Sequence, residues 1–281
     1  MISETQVKIA FEYACKLDAF SIKPGNVFIN NPAYGMTHTD FLRSSIACSE
    51  IICQKNLDIG IKTYECVKSS IDLVGCNTNL GIILLCVPIV QALFIDNNHR
   101  FSQNNLKYVI QSIDRKQTKY IYEAINLAKA GGMGKKDIYD LNDSKNKDFT
   151  LLEAMKYAST YDYIANEYCN NFDNIINIIS INWRNYLKYM SDAEAATTAT
   201  FLNLIKSVPD TLIARKFGKS KAIEVSERFI QIADEYCSLK NPKKLNKMLL
   251  LLDSELKIQE LNPGTTADVV VAGIFLSCLD L

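Results

Sequence analysis

The chain has 281 residues, 48% of them hydrophobic, and its 31 basic side chains balance 31 acidic ones at a formal net charge of zero. That composition excludes disordered and collagen-like classes. It offers no positive field to nucleic acid or an anionic membrane, while leaving room for a local basic pocket that holds one triphosphate. The cysteines number nine, an odd count at irregular spacing, and the N-terminal segment lacks the pattern of a leader, which predicts reduced thiols in a cytoplasmic protein. Only two histidines occur, His38 and His99, and no Cys or His pair has zinc-site spacing, so carboxylates must carry most acid–base or metal chemistry.

Glycine and proline number 11 and 6 and cluster at a few points, leaving long segments of helical periodicity and almost no alternating patterns. The predicted fold is all-α, a single compact multi-helical domain over residues 1–281. Helices are expected at about 3–20, 39–56, 58–74, 79–95, 103–112, 117–130, 150–169, 173–190, 193–206, 210–217, 219–238, 242–259 and 265–280. The most apolar of them, 79–95, contains Pro88 and Gln91 and sits at the lower length limit of a membrane span, so it reads as a buried core helix. The polar run Asp137–Asp148 predicts a mobile loop.

Three loops place small or turn-forming residues ahead of a helix, where free backbone N–H groups and the helix dipole favour an anion. In KPGNV, Lys23 supplies a cation, Gly25 permits close approach of backbone to ligand, and Asn26 follows. The connection ends at Thr39-Asp40, read as the cap of the next helix; an ordinary Pro-Gly turn is the alternative. The second loop, Asn77-Thr78-Asn79-Leu80-Gly81, enters the most apolar helix and either caps it or holds a phosphate or carboxamide. In the third, Asn262-Pro263-Gly264-Thr265-Thr266-Ala267-Asp268, Thr265 and Asp268 have capping-box spacing. The adjacent hydroxyls also suit a Mg²⁺-phosphate ligand set. The cluster Gly131-Gly132-Met133-Gly134 before Lys135-Lys136 is a helix stop or a hinge.

On a helical wheel of 150–169, Asp162 falls on the apolar face with Leu151, Met155, Ala158, Ala165 and Cys169, while Glu153, Lys156 and Glu167 lie on the polar side. A carboxylate there needs a partner, either Mg²⁺ or a cation such as Arg215. Arg215 and Lys216 close a short helix capped by Asp210 and stopped by Gly218. They either complement its dipole or bind phosphate oxygens.

Taken in order, KPGNV, a helix opening Asp40-Phe41 with Ser44, NTNLGIILLCVPI, YEAINLAKAGGMG, LLEAMKYASTYDYIANEY, PDTLIARKFG and NPGTTADVVVAGIF resemble the triphosphoribosyl-dephospho-coenzyme A synthase family, with an opening like its archaeal-type branch. The resemblance implies an all-α enzyme that transfers the ribose C1 of ATP to the 2′-hydroxyl of 3′-dephospho-CoA. Adenine is released, and the product is a prosthetic-group precursor. Carried over, it implies Asp40, Asp162 and Asp268 as catalytic candidates, with Asp162 and Asp268 on Mg²⁺. ATP would be bound by Lys23, Gly25, Asn26, Asn77, Thr78, Asn79, Arg215, Lys216, Asn262, Gly264, Thr265 and Thr266. Departures are KPGNV for a PGLVD-like opening, Phe41 after His38-Thr39-Asp40, Gln117-Thr118 for an acidic pair, and Tyr161 for an Arg. These leave two alternatives, ribosyl transfer to a different acceptor or a non-catalytic nucleotide-binding protein. The reading allows a homodimer and includes neither nucleic acid nor membrane. Chemically, breaking a ribosyl C1–N bond develops oxocarbenium character, which calls for a carboxylate near C1, cations on the triphosphate and a base for the incoming hydroxyl, with Asp40 the leading base.

Overall fold

Two nearly all-apolar helices, residues 80–95 and 264–279, have no polar face to offer water, and a first layer of helices covers them. The computed structural model describes residues 2–95, 99–129, 131 and 149–279. The segment predicted as a loop at 137–148 and the residues Gly132 to Lys136 therefore lie outside the described residues.

In chain order the helices are α1 (Glu4–Phe20), α2 (His38–Ile52), α3 (Ile59–Val74), α4 (Leu80–Ile95), α5 (Gln103–Ser112), α6 (Arg115–Leu127), α7 (Leu151–Ala158) and α8 (Tyr163–Cys169). A π-helical turn, Ile175–Ile179, leads into α9 (Ser180–Met190), followed by α10 (Ala193–Ile205), α11 (Thr211–Phe217) and α12 (Lys219–Ser238). A 3₁₀ turn, Pro242–Leu245, leads into α13 (Asn246–Ile258), and α14 (Gly264–Leu279) is the last. Among the described residues there is no strand, as an all-α fold requires.

Helix α14 packs against α1, α4, α8, α9, α10 and α11, and α4 packs against α3, α5, α8 and α14. An outer layer is built by α2 on α1, α3 on α2 and α6 on α3. Among the described residues no helix is long and apolar enough to cross a membrane, and all nine cysteines are free thiols.

One expected helix, 150–169, differs from the periodicity in two ways. The 150–169 helix is broken into α7 and α8, because Asp162 adopts an extended conformation and caps α8 by accepting from the Ala165 amide at 3.0 Å. Asp162 is thus a cap at a helix break and does not lie on a continuous apolar face. Glu167, read as a surface residue, is fully buried. It accepts from Asn170, Asn174 and the Ile175 amide, fixing the turn that contains the left-handed Asn171 and Phe172.

Pro88 shows how the core handles a local defect. Lacking an N–H, it cannot donate to the Leu84 carbonyl one turn back, and the buried Tyr168 hydroxyl of α8 donates to that oxygen at 2.6 Å. Gln91, the other polar interruption of α4, accepts at 3.0 Å from Lys62 Nζ of α3, which is fully buried. Burial is the main cause pushing the Lys62 amine down to about 8, against the pull of Cys66, Cys53, Glu4 and Asp58.

Tyr168→Phe leaves the Leu84 carbonyl unpaired in the core and should cost about 1–3 kcal/mol in urea unfolding. A Pro88→Ala background returns the missing donor, so the same change should cost less there; equal losses in both backgrounds would refute the pairing. Lys62→Met should stabilise the fold by about 1–3 kcal/mol. The folded value lies below the unfolded 10.5, so the cost of Lys62 is complete below pH of about 8 and fades as pH rises toward 10.5. The advantage of Lys62→Met, followed by unfolding across that range, should fade with it.

Candidate active site

The KPGN turn follows α1 directly and is sealed inside the protein. Lys23 is fully buried, ion-paired with Asp18 in the last turn of α1, and donates to Asn26 Oδ1 at 3.2 Å. Asp18 was not singled out from the sequence, although it continues the buried stripe Val7, Phe11 and Ala14 of α1 and so carried a detectable signal. Burial raises its carboxyl, with Lys23 opposing. Gly25 has φ +85°, and a Cβ there would lie 2.6 Å from the Leu261 carbonyl oxygen and 2.9 Å from Pro263 Cδ. The close approach that needs this glycine is therefore to the NPG loop. Asn26 Nδ2 completes the joint by donating to Asn262 Oδ1 at 3.0 Å.

The NPG loop opens α14, whose first turn meets α11. The Thr266 amide and hydroxyl both donate to Asp210 Oδ2 at 2.8 Å, while Asp210 Oδ1 caps α11 by accepting from Leu212 and Ile213 at 2.8 and 3.0 Å. Burial raises the Asp210 carboxyl, and the Ile213 and Thr266 donors with Arg215 pull it back. The capping box suggested by the Thr265 and Asp268 spacing is not formed: among the described residues Asp268 accepts no hydrogen bond, because its side chain turns to α4. A Cβ on Gly81 would collide with the Asp268 carboxylate. Asp268 keeps a partly open face, yet burial, then the Asp18 and Asp210 carboxylates, push it well above the usual carboxylate range, with Lys23 and Arg215 opposing.

Asp162 uses its second oxygen to hold Arg215, so α8 and α11 are joined by an ion pair, and the Tyr163 amide adds a 3.2 Å bond to Thr211 Oγ1. Arg215 Nε is buried without a partner. The described residues hold only three such side-chain atoms, and a second, Ser21 Oγ, sits between Asp18 and Lys23 in the chain. A narrow recess beside Asp210 is lined by Tyr163, Leu204, Val208, Pro209, Thr211 and Thr265.

The NTN residues act mainly toward α2 and their own helix. Asn77 Oδ1 accepts from the Leu80 amide at 3.1 Å, Thr78 Oγ1 lies 2.6 Å from Ser44 Oγ, and Asn79 Nδ2 donates to Cys48 Sγ at 3.3 Å. Their loop reaches the carboxylate cluster through Gly81. Asp40 is separate from that cluster. Thr37, not Thr39-Asp40, caps α2, and Asp40 is the third residue of its capping box, with Oδ2 accepting from the Thr37 amide and hydroxyl at 2.8 Å. Lys216 turns outward, its Cε 2.7 Å from where a Gly131 Cβ would lie, and Gly264 packs on Leu212.

Lys23, Gly25, Asn26, Gly81, Asp162, Asp210, Arg215, Asn262, Gly264, Thr266 and Asp268 are thus connected by direct contacts or by the charges they exert on one another. Among the described residues no group of three or more His, Cys, Asp or Glu is arranged to hold a metal ion without help from a ligand.

No curated protein sequence matches the chain. In fold it is similar to a crystal structure from Archaeoglobus fulgidus provisionally named a triphosphoribosyl-dephospho-CoA synthase, at 22% identity and a TM-score of 0.58, covering 85% of this chain and 96% of that one. The sequence also matches, over residues 4–281, the CitG family described as ATP:dephospho-CoA triphosphoribosyl transferase, and the chain belongs to that family.

Proposed function

We propose that the cluster around Asp268 is where this transferase holds the triphosphate and ribose of ATP while the sugar C1 passes from adenine to dephospho-CoA. The observation that carries the proposal is the unpaired, buried Arg215 Nε in a cluster whose central carboxylate, Asp268, also accepts no hydrogen bond among the described residues. A buried donor left open in the same cluster as a part-buried carboxylate without a donor is costly unless a ligand completes it.

In this reading Arg215 donates to phosphate oxygens and Asp162 fixes the guanidinium plane. The first-turn amides at Gly264 and Thr265, which a helix cannot satisfy internally, face the anion with the dipole of α14 behind them. Lys23 neutralises Asp18 and keeps Asn26 and Asn262 in register, so it acts on the nucleotide through the loops. The NTN residues likewise set the position of Gly81 against Asp268. Lys216 lies at the edge of the site.

Mg²⁺ fits this donor set. The ion is held elsewhere by one or two carboxylates together with substrate phosphates, and Asp268 is a carboxylate lacking a donor, with the charges of Asp18 and Asp210 acting on it. Asp268 would hold the ion, which would neutralise the triphosphate. Asp162, the other candidate ligand, has both oxygens engaged by Ala165 and Arg215. Among the described residues Asp40 makes no contact with the cluster, and as the proposed base it would meet the acceptor hydroxyl on the α2 side, which the Ser44–Thr78 contact and the NTN loop link to Gly81 and Asp268. Asp40 Oδ2 is fixed by Thr37, leaving Oδ1 for an acceptor hydroxyl arriving from the solvent side, one helical turn from Ser44. The free thiols support a cytoplasmic site of action.

The test is adenine release from ATP in the presence of Mg²⁺ and dephospho-CoA. Asp268→Asn should lower it by about 10²–10³-fold while raising the unfolding midpoint, because a carboxylate whose ionisation the fold opposes is replaced by a neutral side chain. Asp40→Asn should lower kcat by about 10²-fold, and Arg215→Lys should raise KM for ATP about 10-fold. Unchanged adenine release in Asp268→Asn would remove the cluster from the mechanism.

A further inference from the structure

Helix α13 contributes no residue to the cluster above, yet it carries a carboxylate at a position made for an apolar side chain. Asp253 is 1% exposed and shares the inner face of α13 with the fully buried Leu249 and Leu256. A buried acid paired with a lysine adds little stability over a packed hydrocarbon, so its presence asks for another reason.

Its contacts supply one. Asp253 Oδ1 accepts from the Gly25 amide at 2.8 Å, and Oδ2 lies 2.9 Å from Lys257 Nζ. Lys257 Nζ in turn donates to the Asn31 carbonyl at 3.1 Å and sits 4.6 Å over the Phe28 ring. The Gly25 carbonyl is taken by the Tyr34 hydroxyl at 2.9 Å. The pair therefore grips the connection between α1 and α2 at Gly25 and again at Asn31. Because the turn that closes α13, with the Leu261 amide donating to the Leu256 carbonyl at 2.9 Å, leads to Pro263, the same helix sets the surface on which Gly25 rests. A glycine at φ +85° has no side chain to hold its conformation, so without Asp253 its amide is an orphan and the turn loses its anchor.

We infer that Asp253, with Lys257, is a positioning residue for nucleotide binding, clamping the Lys23–Asn26 turn to the loop that opens α14. The inference rests on that turn belonging to the ATP site. A displacement of about 1 Å in such a frame is enough to cost up to 10²-fold in turnover.

The experiment compares steady-state adenine release in Asp253→Ala, Asp253→Asn, Lys257→Gln, Leu249→Ala and Asn26→Ala, with thermal unfolding of each. Asp253→Ala should raise KM for ATP at least about 10-fold and leave KM for dephospho-CoA within about twofold. Asp253→Asn keeps an oxygen for the Gly25 amide and should return KM for ATP to within about threefold of the parent. Lys257→Gln releases only the hold on Asn31 and Phe28 and should raise it about 3–10-fold; this variant decides the matter if Asp253→Ala does not fold. Leu249→Ala opens a cavity on the same face and should lower the unfolding midpoint without moving KM for ATP. If Leu249→Ala moves that constant as Asp253→Ala does, or if Asn26→Ala raises it while the Asp253 and Lys257 variants do not, the clamp is wrong. If Asn26→Ala also leaves it unmoved, the turn is not part of the ATP site, and the inference falls with that reading.

Discussion

The constraint behind this structure is a carboxylate at the start of a helix that has nowhere to go but the core. From Val269 onward α14 is almost entirely apolar and buried, so the turns before it are carried inward with it, and Asp268 keeps only a partly open face. The loops that gather there follow from that. Gly81 leaves room for the carboxylate, Lys23 and Arg215 provide opposing charge, and Asp210 ties Thr266 to α11. Each of these is expensive in isolation: a glycine entering a helix, a buried lysine, a buried aspartate. Together they make a polar focus inside an otherwise hydrocarbon body.

The charge arrangement of that focus also constrains its chemistry. Lys23 is committed to Asp18 and Arg215 to Asp162, while Asp210 and Asp268 are neighbours whose ionisation the fold opposes. The two cations offset carboxylates before any ligand arrives. If the cluster holds the triphosphate as proposed, these side chains alone would not balance it, and a divalent cation on the ligand would complement them. In the proposed reading, a chain of zero net charge serves an anionic substrate through local open donors such as Arg215 Nε.

Much of this was legible in the sequence, and the failures have physical causes. Caps and turn residues located most helices to within a few residues, because Asp58, Ser102, Asp114, Thr150, Asp192 and Asp210 all accept from the first-turn amides they precede. The break at Asp162 was hidden because an apolar period continues through it, and only the cap reveals that two helices share one phase. Glu167 was misplaced for the same reason: once the helix is cut, its direction follows the turn at 170–175. Asp18 and Asp253 were missed although both interrupt apolar stripes. Their partners lie in the Lys23–Asn26 turn, and for Asp253 that turn is more than 200 residues away in the chain, a relation that periodicity does not encode.

Many of the sequence blocks that carry the family resemblance touch one another in the structure. Asn26 meets Asn262, Gly25 meets Leu261 and Pro263, Ser44 meets Thr78, and Asp210 meets Thr266. Such pairs explain why the blocks appear together in one sequence: a residue whose partner is another block's residue has no use alone. The loops are fixed by hydrogen bonds among amides, hydroxyls and carboxylates that are already satisfied, so few groups are left to face the substrate. Two of the groups that remain unpaired after these contacts are subtracted, Arg215 Nε and the Asp268 carboxylate, are for that reason better guides to the chemistry than the blocks themselves.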